Sequence, residues 1–155
     1  MAQKGLTVAL SGDDTLQINN QVISTLANKD PAIITFPNEM ANVEQGKNGT
    51  MIYAQNNMGF LCDLSMRVLL AGVDDKYLNS LLQQQTTAFS NFGLMTGVFT
   101  KRTGDGSGNI SSVVYLLSGG IFTKGIEAKS SAAGDTEQSV AVWPIKWGNW
   151  VRLIQ

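Results

Sequence analysis

Phe60 to Leu70 reads as a strand in which apolar and polar residues alternate from Cys62 to Val68, and an amphipathic helical pattern starts within the next five positions. Cys62, Leu64, Met66, Val68 and Leu70 share one face of an extended strand, while Asp63, Ser65 and Arg67 share the other. Such a strand belongs in a sheet with one covered side. A helix is predicted over Asp75 to Gln85. Asp74 is placed to cap it, its carboxylate accepting backbone N–H groups at the positive end of the dipole. Val73 and Leu78 hold the positions of a hydrophobic staple. Tyr77, Leu78, Leu81 and Leu82 form one apolar stripe, the packing face, and Asn79, Gln83 and Gln84 lie away from it. This helix should pack on a sheet.

The other patterns are strands and turns. Leu6, Val8 and Leu10 alternate with Thr7 and Ala9, and Ser11 to Asp14 reads as the turn that closes them. Thr15 to Ile23 is a strand interrupted by a tight turn at Asn19-Asn20, and Ala32 to Phe36 is a short strand between two prolines. Lys47-Asn48-Gly49-Thr50 signals a type I′ hairpin from which Met51 to Gln55 returns. Further strands are expected over Ala88 to Thr100, Ile110 to Lys124 and Ser139 to Trp147. The glycine-rich tip Lys101 to Asn109 joins the first two of these into an extended hairpin. Val113 to Leu117 is apolar at every position, which predicts cover on both faces. Gly119-Gly120 marks a bulge or bend, and Lys129 to Gln138 a polar turn. Trp143 and Trp147 share strand parity and Trp150 does not, so one group is expected inward and the other at a subunit contact. At 155 residues the chain is read as one domain, mainly antiparallel β, a barrel or sandwich with one helix near the middle.

Composition narrows the chemistry. There is no histidine, so neither a Ser-His-Asp nor a Cys-His arrangement can form, and the usual catalytic zinc sets lose their imidazoles. Cys62 is the one cysteine, which excludes an internal disulfide. Gly104-x-Gly106-x-Gly108 lacks the Gly-Lys-Ser/Thr ending of a phosphate loop and lies between strands, so it reads as a hairpin tip. Asp13-Asp14 follows a turn and Asp74-Asp75 opens a helix, which explains both acidic pairs without metal or acid–base chemistry. No catalytic residue, cofactor or metal is expected, and the chain is read as a non-enzyme. The start lacks a signal-peptide apolar core, and no run approaches the ~20 apolar residues of a membrane span, so synthesis in a cytosol is expected. The net charge of −1 disfavours a basic grip on nucleic acid. Charged residues are only 15%, while Ser, Thr, Asn and Gln number 46. A polar surface this poor in charge is weakly protected against association and suits a protein that assembles.

Two stretches carry a family likeness. Met58 to Gln85 (MGFLCDLSMRVLLAGVDDKYLNSLLQQQ) resembles the strand-then-helix unit of the tail tube proteins of contractile-tailed bacteriophages. Ser118 to Gly148 (SGGIFTKGIEAKSSAAGDTEQSVAVWPIKWG) resembles their C-terminal strands and turn. The resemblance implies a virion protein, made in the bacterial host cytoplasm, that forms hexameric rings with a continuous inner β-barrel. Type VI secretion and bacteriocin tube proteins share that architecture. The implied partners are further copies of the chain, a contractile sheath, the tape-measure protein, baseplate and terminator proteins, and DNA passing through the lumen unbound. On that basis Asp63, Ser65 and Arg67 are assigned to the lumen, with Asp63 and Arg67 offsetting each other's charge. Lys101, Arg102, Asp105 and Asn109 of the hairpin tip are assigned to ring stacking, and the helix stripe to the sheet's outer side. Another ring-forming tail component (terminator, baseplate hub or non-contractile tube) is the nearer alternative, and a monomeric ligand-binding barrel the more distant one.

Overall fold

The structure, a computed structural model, describes residues 10–28, 30–57 and 60–155; the alternation at Leu6 and Val8 lies outside them. In chain order the elements are β1 (Leu10–Ile18), β2 (Gln21–Val22), β3 (Ala32–Thr35), β4 (Ala41–Gln45), β5 (Met51–Gln55), β6 (Cys62–Leu69), α1 (Val73–Thr87), β7 (Met95–Gly104), β8 (Ile110–Phe122) and β9 (Val140–Ile154). Among the described residues seven strands form one antiparallel sheet in the order β2-β1-β7-β8-β9-β6-β3, while β4 and β5 pair only with each other. The expectation of a mainly antiparallel β protein with one helix near the middle holds.

Turn chemistry sets the joints. Asn19 and Asn20 both take positive φ, 50° and 68°, and make the expected two-residue turn between β1 and β2. The expected turn at Ser11 to Asp14 is instead continuous strand. Gly12 at φ 130° absorbs a register shift between Leu10 and Asp13, so β1 bulges and runs on along β7. The Asn48-Gly49 hairpin forms, but not as type I′. Only Gly49 has positive φ there, and its N–H donates to the Gly46 carbonyl, which is a common turn followed by a glycine bulge. Phe89–Asn91 is a short 3-10 turn rather than strand, and β7 begins at Met95. β9 extends seven residues beyond Trp147. Pro144 is tolerated inside it because β8 stops pairing at Phe122↔Ile145, leaving no carbonyl in need of that N–H.

One glycine-lined bend shapes the sheet. Met95 pairs with Gly120 and Gly97 with Leu117, so β8 carries one extra residue, taken up at Gly119 with φ 68°. β9 takes the same step at Gly148, opposite Gly119. The long strands therefore keep their pairing but shift phase, and the sheet folds over its own core. Leu16 and Ile18 of β1 share that core with Cys62, Leu64, Met66 and Val68 of β6 and with Ala141, Trp143, Ile145 and Trp147 of β9. The phase shift also corrects the tryptophan parity. Trp150 pairs with buried Leu117, packs against the core, and meets the Phe36 ring at a tilt of 48° with centroids 4.6 Å apart.

The fully buried Trp147 indole fits because Gly97 and Gly120 have no side chains. A Cβ on Gly120 would come within 2.4 Å of its ring, and one on Gly97 within 2.9 Å. Gly120→Ala should therefore cost about 1–3 kcal/mol of unfolding free energy, as overpacking does. Gly93→Ala, with nothing within 4 Å of its Cβ, should change stability by less than about 0.5 kcal/mol. Denaturant titration of the two variants checks the contrast.

Candidate functional site

The helix is joined to the sheet by polar contacts as well as by its apolar stripe. Leu78 and Leu81 are buried, and Tyr77 and Leu82 pack at the margin of the core. The Tyr77 hydroxyl donates to the Ile18 carbonyl at 3.1 Å. Asp74 does not cap the helix, which starts at Val73 after Gly72. Its buried carboxylate instead accepts from the Ser24 and Thr25 N–H groups and the Thr25 hydroxyl at 2.6–2.8 Å, pinning the loop after β2. Asp75 accepts from the Ala71 N–H and the Trp143 indole N–H. Val73 is 69% exposed, so the expected staple is not made. Gln85, overlooked in the sequence, is buried and exchanges two 2.9 Å hydrogen bonds with the Phe122 backbone, closing the free end of β8. Its position seven residues after Leu78 and four after Leu81 was the available signal.

Asp63, Ser65 and Arg67 lie on the face of β6 away from the core, half-buried. Asp63 and Arg67 do not offset each other. Residues four apart on a strand are about 13 Å apart, beyond ion-pair reach. Arg67 pairs with Glu137, from the segment between β8 and β9, and Asp63 stands opposite Lys146 on β9. Two acids and two bases thus share this face of the sheet. Lys129 pairs with Asp135 within the same connecting segment, and the shared hydrogen bond raises the lysine pKa and lowers the aspartate pKa.

The β7–β8 tip is shorter and firmer than its composition suggests. Lys101 and Arg102 belong to the ladder, paired with Asp14 and Asp13 of β1, and Lys101 Nζ lies 3.8 Å from the Asp14 carboxylate. Only residues 105–109 form the tip. The Asp105 carboxylate accepts from Ser107 N–H and from both the backbone and side-chain nitrogens of Asn109, which holds its pKa below the usual carboxylate range.

Two groups of exposed apolar residues lie side by side on strands. Every residue of β4 and β5 is exposed, including Val43, Met51, Ile52 and Tyr53 at 73%. Cover on both faces of Val113 to Leu117 is not supplied within the subunit: Leu117 is buried, but Leu116 is exposed beside Val151, its ladder partner. Among the described residues no three His, Cys, Asp or Glu side chains converge, and no helix is long and apolar enough to cross a membrane.

The sequence matches no protein-family model and no curated protein. Its fold is similar to that of three solved chains. One belongs to the sheath–tube complex, in the extended state, of an extracellular contractile injection system called PVC: TM-score 0.55, 10% identity, covering 92% of this chain and 87% of that one. The second is from the sheath/tube terminator of that system: TM-score 0.52, 12% identity, covering 92% of each chain. The third is from the tube-terminating cap of the anti-feeding prophage: TM-score 0.53, 12% identity, covering 100% of this chain and 99% of that one.

Cys62 is fully buried, and burial together with the Asp63 charge pushes its thiol up from 9.0 to about 11. The thiol is therefore neutral and inert at physiological pH. Because the folded value is the higher one, its contribution to stability is complete below about pH 9 and is lost as pH rises through 11. A disulfide reagent at pH 8 should leave the native chain unlabelled and modify one thiol in denaturant. Rapid labelling of native protein would contradict the burial.

Proposed function

We propose that this chain is a single-domain structural subunit of a contractile tail-like particle, forming rings that stack into a hollow tube. The observation that carries the reading is the fold match over at least 92% of the chain to three components of such particles, from two injection systems. Open strand edges support it. Among the described residues, β2 is two residues long and pairs with only Gln17 and Ile18 of β1 on that side, and β3 pairs with β6 alone. Edge strands of this kind are kept from random pairing when a ring closes them. The finer reading is the tail tube of a contractile phage: a non-enzymatic virion protein around which a sheath sits, with the tape-measure protein inside, baseplate and terminator at its ends, and DNA crossing its lumen. The mutual coverage of 100% and 99% with a cap chain favours a second reading, a tube terminator or cap.

Within the tube reading, the Asp63, Ser65 and Arg67 face lines the channel. Paired with Lys146 and Glu137, it is hydrated and without net charge, so it neither grips nor repels phosphates strongly. The 105–109 tip stacks one ring on the next, and the helix lies on the outer side.

Negative-stain microscopy of the purified protein tests the function. Long tubes are expected of a tube subunit and single closed rings of a terminator or cap, whereas a compact 16.7 kDa particle would overturn both. In a tube former, replacing residues 105–109 by a two-residue turn should leave rings but no long tubes. The lumen has its own check. Ser65→Cys in assembled tubes should react with a small maleimide and resist one attached to a bulky protein. Equal labelling by both reagents would move this face to the exterior.

A further inference from the structure

The β4–β5 arm and the outer face of the β7–β8–β9 layer are two uncovered surfaces with matching properties. On the arm, Val43 pairs across the ladder with Tyr53, and Ala41, Gln45, Met51 and Gln55 share their face, which carries no charge. On the sheet, Val98, Leu116 and Val151 stand side by side on three adjacent strands, with Val114 and Leu153 as the next row. Leu116, Val151 and Leu153 are 39%, 46% and 40% exposed, and this patch is also uncharged. An isolated two-stranded hairpin is marginal in water. Exposed apolar faces on both elements give each a reason to be covered.

We propose that the Val43–Tyr53 face of the arm docks on the Val98–Leu116–Val151 face of a second copy of this chain. The inference rests on the ring-forming reading above and adds which surfaces meet. Two features select a second copy over another occupant. Both surfaces are strand-built and uncharged, so they can pack face to face about 10 Å apart, as sheets do. They are also different surfaces on one chain, so the contact is head-to-tail and repeats until a ring or helix results.

Size sets how strong the contact can be. Five-residue strands are about 17 Å long, and two of them lie about 5 Å apart. One face of the arm then covers roughly 150–200 Å², far below the ~800 Å² per partner of a stable pair. A lone dimer is therefore weak. Closure makes the contact effective, because each subunit then gives one arm and receives another.

Two measurements test the proposal. Tyr53→Cys protein is mixed with either Val151→Cys or Leu116→Cys protein at assembling concentration and oxidised; Cys62, being buried, is left in place. Disulfide-linked pairs should form between unlike variants. Linkage only between like variants, or none in a mixture that assembles, overturns the docking while leaving ring formation standing. Separately, Val43→Ser with Tyr53→Ser should raise the concentration needed for assembly at least tenfold by sedimentation velocity. The thermal midpoint should stay unchanged, since the arm is outside the core. Assembly at the wild-type concentration overturns the docking, and a wild-type chain that stays monomeric at every concentration overturns the ring reading with it.

Discussion

The contact between the Trp147 indole and the glycines beneath it governs the rest of the fold. A seven-stranded antiparallel sheet can stay open or curl over its own side chains, and curling needs space at the line of closest approach. Gly97 and Gly120 provide that space by having no Cβ, and the indole fills it. The bend beside it, at Gly119 and Gly148, turns β8 and β9 together so that no ladder is broken where the sheet changes direction. Filling and bending are separate tasks in adjacent glycines. Losing the filling would leave a hinge without a core, and losing the bend would leave a core without a second wall.

The helix closes this arrangement with bonds that consume polar groups. Asp74 and Asp75 would, on a free helix, be surface charges near its positive end. Here one carboxylate holds the loop after β2 and the other the Trp143 indole, so the acids serve as clamps between elements. Gln85 does the equivalent at the other end, against β8. A buried acceptor left without its donors costs about 1–3 kcal/mol, which makes these clamps specific about where the helix sits. The apolar stripe drives the helix toward the core; the clamps decide its rotation and position.

What the sequence revealed depended on how local the signal was. The two faces of β6, the Asn19-Asn20 turn and the existence of the helix follow from period and turn chemistry within a few residues, and they were legible. The tryptophan faces were not, because parity counting assumes an unbroken pleat and the step at Gly148 falls between Trp147 and Trp150. Asp74 read as a cap because its true acceptor role depends on Ser24 and Thr25, some fifty residues away. The same distance effect hid the Arg67–Glu137 pairing and made Asp63 the nearer candidate in sequence. Gln85 was passed over because an amide at the end of a glutamine run carries no burial signal of its own. Of the candidate surfaces, the polar face of β6 was visible in the sequence, whereas the open apolar layer required knowing which side of β8 the subunit itself covers.

The low charge of the chain can then be set against its fold. The folded chain exposes 10377 Å², well above the roughly 7,600 Å² of a compact monomer of this mass, and the fully exposed arm contributes to that excess. A large surface with few charges is a poor arrangement for a solitary soluble protein, since little prevents copies from meeting. It is a good arrangement for a wall built of many copies. Like charges repeated around a ring and along its axis accumulate, and screening leaves neighbours within about 10 Å still in contact with one another's field. A net charge of −1 per copy keeps that sum small. Some of the charges that are present are used locally, as Arg67 with Glu137, Lys129 with Asp135, and Lys101 with Asp14. In the proposed ring, the surfaces that would meet other copies are thereby left to apolar contact and backbone pairing, whose strength does not fade as an assembly grows.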